Sequence, residues 1–265
     1  MTEAAGINDE VSSLSRRDRL RAATKDEIIA TARRLLVRDG PESVTLRAIA
    51  REMGMTAPGL YRYYASHEEL IRHLVAGIFT ELAADIDAAI KAAGQAHPGP
   101  AGMSEEEAHK DRAHIAAEMA AACHAFRHWA LTHAAEFSLV FGVPLPGIDD
   151  GRWDIADECA LLFAGVYFTL FRKLWDALPF PVPDPSSMDP GLRAQLERYK
   201  AAVGTDLPLG AVLIFLRCWM LLYGAVAMEV FGHLGFALED PSPMFDLTLS
   251  DIAALVGLVY PLADG

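Results

Sequence analysis

One short stretch, Leu46 to Ala65, constrains this chain more than any other. Two short helices that cross need apolar residues where they touch. They need a small residue where they come closest, and usually a glycine at the turn between them. Here Ile49, Met53, Met55, Leu60 and Tyr63 take the apolar positions and Ala50 is the small residue. Gly54 is the turn, where a positive φ costs no side-chain clash. Thr56 stands where a cap for the second helix belongs, and Pro58 falls in that helix's first turn, where no intrahelical N–H partner is lost. The pattern is a helix-turn-helix, the alternative being a helix pair inside an unrelated bundle.

The flanks extend the helical reading in both directions. Residues 1–15 are polar and read as disordered, leading into a basic arm at residues 15–21. Thr24-x-x-Glu27 predicts a capping box for a first helix that runs through Ile28, Ala32 and Leu36 to about Asp39, with Gly40-Pro41 as its stop. Ser66-x-x-Glu69 and Ser104-x-x-Glu107 predict two more starts, the second helix reaching about Phe141. Ile155 to Leu178, Leu192 to Ala202, Leu209 to Leu234 and Leu247 to Leu258 read as further helices. Five prolines make residues 179–191 a loop. No stretch reads as a strand, so the expected class is all-α.

Charge divides the chain near residue 75. The net charge is −13, which argues against nucleic acid until its distribution is read. Residues 15–75 hold 12 Lys or Arg against 8 Asp or Glu, while residues 76–265 hold 11 against 25. A basic head can bind phosphates while an acidic body is repelled by them. The expected organisation is an arm at 1–19, a DNA-binding head at 20–75, and a ligand-binding and dimerisation body at 76–265.

The run Thr45-Leu46-Arg47-Ala48-Ile49-Ala50-Arg51-Glu52-Met53-Gly54-Met55-Thr56-Ala57-Pro58-Gly59-Leu60-Tyr61-Arg62-Tyr63-Tyr64-Ala65-Ser66-His67-Glu68-Glu69-Leu70 resembles the tetracycline-repressor family of regulators. With the preceding helix, the resemblance covers about residues 20–75. Thr56 caps the recognition helix, and the short side chains of Ala57 and Gly59, with Pro58, let it lie close in the major groove. Arg62 is the candidate base reader, through a bidentate contact to guanine. The resemblance implies that Tyr61 contacts the phosphate backbone and that Tyr63 packs in or near the same surface. Tyr64 reads as core. Thr45 and Arg47 are expected phosphate holders. His67 stands where the family usually has a phosphate-neutralising Lys, and an imidazole, mostly uncharged near neutrality, makes that contact weaker. Arg16, Arg17, Arg19 and Arg21 either enter the minor groove as an arm or form a solvated basic tail.

A single recognition helix covers too few base pairs for specificity, so a homodimer on a palindromic operator is implied. The apolar segment Leu209 to Leu234 is the expected interface, with Ala211, Phe215, Leu222, Gly224, Val226 and Phe231 on it. Trp219-x-x-x-Tyr223-Gly224-x-x-x-Met228-Glu229 resembles the Trp-His-Gly mark of one branch of the family, with Tyr in place of the His. Large apolar side chains supply either core or the wall of a pocket for a small apolar or aromatic ligand. The pocket candidates are Phe126, Trp129, Phe137, Tyr167, Phe168, Phe171, Trp175, Trp219 and Tyr223.

Other functions lack their residues. His124 and His128, with His133 beyond and Asp149 and Asp150 downstream, have metal-ligand spacing, but no Cys or carboxylate cluster completes a local set, so no metal or cofactor is expected. No phosphate-cradling glycine loop or nucleophile elbow occurs, and no enzyme is expected. Cys123, Cys159 and Cys218 read as buried thiols in a reducing, cytoplasmic compartment. Arg217 interrupts the best membrane candidate, so no membrane partner is expected. The rival reading is a helical ligand carrier or partner-binding protein that does not bind DNA specifically.

Overall fold

The computed structural model describes residues 15–96, 105–142 and 155–260, with backbone only for 105–111, 155–160 and 162. The described residues form ten α-helices and no strand. They are α1 Arg16–Asp39, α2 Leu46–Glu52, α3 Ala57–Leu60, α4 His67–Ala96, α5 Glu105–Thr132, α6 Ala134–Phe141, α7 Ile155–Ala177, α8 Pro190–Val203, α9 Leu209–Val230 and α10 Ser242–Leu255. The chain divides into two compact units. One, the head, holds Met1–Ile78 and Ala135–Cys159; the other, the body, holds Phe79–Ala134 and Ala160–Gly265.

In the head, α1 starts earlier than its sequence signal. Ser15 is its cap, the hydroxyl accepting from Asp18 N–H at 3.2 Å. Thr24 lies inside the helix and donates back to the Leu20 carbonyl at 2.9 Å. The arm at 1–19 is thereby corrected: Arg16, Arg17, Arg19 and Arg21 sit on the first turns of a helix. No Gly or Pro separates Ser15 from Thr24, and strong helix formers such as Ala22 and Ala23 continue the ladder. Residues 1–14 of that arm lie outside the described residues. Gly40, at φ 83°, ends α1.

α2 and α3 are capped by the side chains of Thr45 and Thr56, which accept from Ala48 N–H at 3.1 Å and Gly59 N–H at 3.2 Å. Between them Gly54 takes φ 65°, a left-handed turn that an L side chain resists. Ser66 caps α4, accepting from Glu69 N–H at 3.1 Å. The Glu69 carboxylate reaches Ala65 N–H at 2.7 Å, one residue beyond the partner a strict capping box gives. Ile28, Leu36, Ile49, Leu60, Leu70 and Leu74 fill the core of this unit. The buried Glu136 of α6 pairs there with Arg33 of α1 at 3.0 Å.

The body is organised around α9, which packs on α5, α8 and α10. At its start Gly210 faces the Pro183 carbonyl so closely that a Cβ would overlap it, which lets the proline-rich loop cross the helix. Alone, α9 is long and apolar enough to cross a membrane, with mean hydropathy 2.0. Seven of its residues, among them Ala211, Val212 and Ile214, are instead buried in the body's core. The single helix expected to reach Phe141 is broken at His133 into α5 and α6. There Thr132 and His133 turn their side chains back onto the carbonyls of His128 and Trp129. The expected start at Ser104 lies outside the described residues.

Candidate nucleic-acid interface, ligand site and dimer face

The helix-turn-helix leaves most of its predicted residues at the surface of the head. Pro58, Tyr61 and Arg62 are exposed, and Ala57 and Gly59 are half-buried. Thr45 and Arg47, at the start of α2, are also exposed. Leu60, fully buried, anchors α3 from below. α3 is only four residues long, so its C-terminal end needs support from elsewhere. Arg21 of α1 supplies it: its guanidinium donates to the Arg62 carbonyl at 2.8 Å and lies 5.4 Å from the Tyr63 ring centroid. Arg21 therefore braces the end of the recognition helix. Lys25 similarly covers Tyr64, at 5.1 Å, and Tyr64 is 1% exposed, as a core residue should be.

His67 is placed differently from the lysine it stands for. Its Nε2 lies 2.6 Å from the Val44 carbonyl, so that nitrogen carries a proton and donates inward. A neutral ring then has only an acceptor left, which a phosphate repels. His67 thereby links the start of α4 to the residue before Thr45.

The pocket candidates are not brought together. Phe137 is fully buried in the head, its ring 4.9 Å from that of Phe141, and its place in a body pocket is corrected accordingly. Phe126, Tyr167, Trp219 and Tyr223 form one aromatic cluster in the body, joined by Phe163 at 5.6 Å from Trp219. Phe168 and Phe171 meet Phe215, and Trp175 meets Phe180, in a second. Between the clusters lies a cavity of about 40 Å³. Tyr167, Phe171, Phe215 and Trp219 line it with Met119, Cys123, Cys218 and Leu222. Burial pushes both thiols up to about 12, so they are protonated and inert at neutral pH. Tyr167 spends its hydroxyl on the Ala122 carbonyl at 3.0 Å. The cavity is a few waters in size and dry in character; a drug-sized ligand needs ~300–1,000 Å³. Trp129 lies elsewhere in the body, in the wall of an open cleft of about 520 Å³ between α4 and α5.

The expected dimer residues mostly face inward. Ala211, Leu222 and Val226 are 0–3% exposed, and Phe215 packs between Phe168 and Phe171. They share the helix face that meets the body's own core, so the interface assignment is corrected for these four. Gly224 does line an outer groove, and Phe231, just past the end of α9, is exposed. Beside them Met220 is 70% exposed and Met228 40%. With Met244 of α10, at 47%, they line a mainly apolar groove of about 290 Å³. An amphipathic stripe could not reveal which side is which, because α9 is apolar on both.

Sequence reasoning missed the polar ties of the body. Arg127 of α5 makes a bidentate pair with Glu229 of α9, at 2.5–2.8 Å, and donates to Ser242 of α10 at 2.9 Å. Glu229 belongs to the quoted Met228-Glu229 mark, and that was the available signal. Glu118 is 7% exposed and held by Lys173 at 2.5 Å and His114 at 3.3 Å. His124, half of the metal candidate, has its Nε2 2.7 Å from the Tyr260 hydroxyl, which donates to Asp246 at 3.2 Å. Among the described residues no three His, Cys, Asp or Glu side chains converge as a metal site would require. Asp149 and Asp150 lie outside those residues.

Comparison with known proteins agrees with this geometry. Residues 28–74 match the family described as bacterial regulatory proteins, tetR family, and residues 119–252 match the tetracyclin repressor-like C-terminal domain. The HTH-type transcriptional regulators Rv1816 of Mycobacterium tuberculosis and Mb1846 of Mycobacterium bovis are each 28% identical over 243 residues, 87% of this chain and 91% of theirs. Among solved structures, the regulatory protein SCO4313 superposes with a TM-score of 0.62 at 26% identity, covering 91% of this chain and all of its own. A Rhodococcus protein of unknown function shares the fold, with a TM-score of 0.56 at 17% identity over 89% of this chain and 95% of its own. A capped helix-turn-helix within the basic stretch 15–75 and a larger helical body, matched over both parts, lead to one conclusion: this chain belongs to the TetR family of DNA-binding transcriptional regulators.

Proposed function

We propose that this protein is a repressor that holds a palindromic operator as a homodimer and releases it when a small apolar or aromatic molecule binds the body. The observation that carries the reading is the exposed face of α3. Its side chains are short at Ala57, Pro58 and Gly59, and Arg62 follows with its backbone fixed by Arg21 and its side chain in solvent. In this reading the DNA-binding domain spans about residues 20–75 and the rest is the effector and dimer domain. Arg62 reads a guanine, while Thr45, Arg47 and Tyr61 hold phosphates. Arg16, Arg17 and Arg19 meet the backbone from a helix. The protein works in the cytoplasm, on the nucleoid.

The second copy is taken to cover the outer face of α9 and α10. An exposed apolar face of this extent is uncommon on a monomer, and a two-fold axis makes one patch its own complement. Met220→Glu places a charge in the middle of it. The expected outcome is a monomer by analytical ultracentrifugation with an unchanged helical spectrum; a dimer that persists refutes the assigned face.

Fluorescence anisotropy with DNA flanking the coding region, against scrambled competitor and across salt concentrations, tests the operator reading. Specific binding that weakens with salt is expected. Arg62→Ala should lose ~1–3 kcal/mol of discrimination at one base position in each half-site. Binding that never distinguishes genomic from scrambled DNA would instead favour the carrier or partner-binding reading.

A further inference from the structure

Two small cavities in the body adjoin. The one of about 40 Å³ described above reaches in to Phe215 and Trp219, and a second, of about 30 Å³, reaches out to Val259 and Tyr260. Met119, Cys123 and Ile252 line both, so these three side chains are the partition between them. Cys123 and Ile252 are buried, and the branched Ile252 is stiff. Met119, one turn before Cys123 on α5, is half-buried and unbranched, with rotatable bonds along its whole length. It has both the freedom to turn and a solvent side to turn into. The partition therefore has one movable member.

Size sets the shape of an occupant. A water needs ~10–15 Å³ of such space, so the cavities hold about three and about two water-sized groups. A methylene is close to a water in size, and a displaced Met119 side chain frees room for about four more. The whole takes an unbranched chain of about nine carbons, one atom wide. A ring does not pass where a single thioether chain stood. Along the length nothing polar is on offer: the Tyr167 hydroxyl is spent on the Ala122 carbonyl, and both thiols are protonated.

The outer end is different. The Tyr260 hydroxyl lies 2.7 Å from His124 Nε2 and donates to Asp246 at 3.2 Å. Burial holds His124 below its usual 6.5, and Arg127 is engaged by Glu229. The charge in contact with the Tyr260 hydroxyl is thus the Asp246 carboxylate, which opposes an anionic head and accepts from a neutral hydroxyl.

We propose that the paired cavities are the closed form of one slot for an unbranched aliphatic chain of about nine carbons ending in a neutral polar group, with Met119 as its movable wall. This ligand class narrows the ligand-release reading from apolar or aromatic to aliphatic, and rests on that reading for its regulatory meaning alone.

The test is calorimetric titration of the full chain with straight-chain primary alcohols from butanol to dodecanol. Affinity should rise about fourfold per added carbon, the gain from burying one methylene, and level off near nonanol. Nonanoate and 2-naphthol should each bind about tenfold more weakly than nonanol, the first for its buried charge and the second for its width. Met119→Ala opens the partition and should tighten nonanol several-fold. Cys218→Leu fills the inner cavity and should end the rise about two carbons earlier, with butanol and pentanol unaffected. The two variants act in opposite directions, so a loss of fold cannot imitate both. Affinity that keeps rising to dodecanol is adsorption and overturns the slot. So do binding of no alcohol, 2-naphthol or nonanoate binding as tightly as nonanol, and variants that bind as the parent does. Operator release is measured separately on the same samples. Its absence counts against the repressor reading, while a chain-length series that levels off still establishes the slot.

Discussion

The head and the body of this protein are both helical, but they are specified differently. In the head, local signals carry the structure: Thr45, Thr56 and Ser66 cap three successive helices, Gly40 ends the helix before them, and Gly54 turns the chain between the first two. The body has such signals at its shorter elements, where Asp189 caps α8 and Gly204 ends it, but not at its central helix. The long helix α9 has no side-chain cap, and its position is held by packing and by the Arg127–Glu229 pair. A region written in caps and turns is readable one residue at a time. A region written in long-range contacts is not.

That contrast can be broken most forcefully in the body. Glu229→Ala leaves the Arg127 guanidinium, which is 17% exposed, without its bidentate partner. Losing one member of a buried pair costs ~3–5 kcal/mol. Urea denaturation followed by Trp fluorescence should show that loss, while Glu229→Ala combined with Arg127→Met should recover part of it. A Glu229→Ala variant as stable as the parent would mean that α5, α9 and α10 are held by apolar packing alone.

A smaller effect is expected in the head. At Gly54 a Cβ would meet nothing within 4 Å, so only the left-handed backbone at φ 65° opposes a side chain. Gly54→Ala should therefore cost ~1–2 kcal/mol, the usual penalty for an L residue in that region. Operator affinity should fall with it. An unchanged midpoint would show that the turn is less dependent on glycine than its geometry implies.

The smallest expected effect sharpens the comparison by pH. Burial holds His124 below its usual 6.5, with the Asp246 carboxylate opposing and Arg127 reinforcing the shift. The unfolded chain then binds a proton before the folded one does. Stability from this site is present above 6.5 and declines as the pH falls through the window below it. His124→Gln should flatten that slope in the body's transition. An equal slope in the variant would move its origin elsewhere.

The class and the DNA-binding motif were legible because they depend on spacing. Ile49, Ala50, Gly54 and Leu60 each satisfy a condition set within a few residues, and the cap at Thr56 could be named from its neighbours. The start of α1 was misread because two competent caps, Ser15 and Thr24, precede one uninterrupted helical run. Helix propensity lets the earlier one win. Arg21 read as part of an arm because its partner, the Arg62 carbonyl, lies 41 residues away in sequence.

In the body, sequence determined that α9 is apolar and buried somewhere. Tertiary structure alone decided which face meets the body's own core, placing Leu222 and Val226 inward and Met220 and Met228 outward. It also decided that Trp129 and Trp219 line different spaces. Composition and periodicity fix how much apolar surface a helix must bury. The choice of partner for each face comes from the simultaneous packing of helices distant in sequence, where shape and a few buried ion pairs discriminate among arrangements that hydrophobicity alone leaves equal.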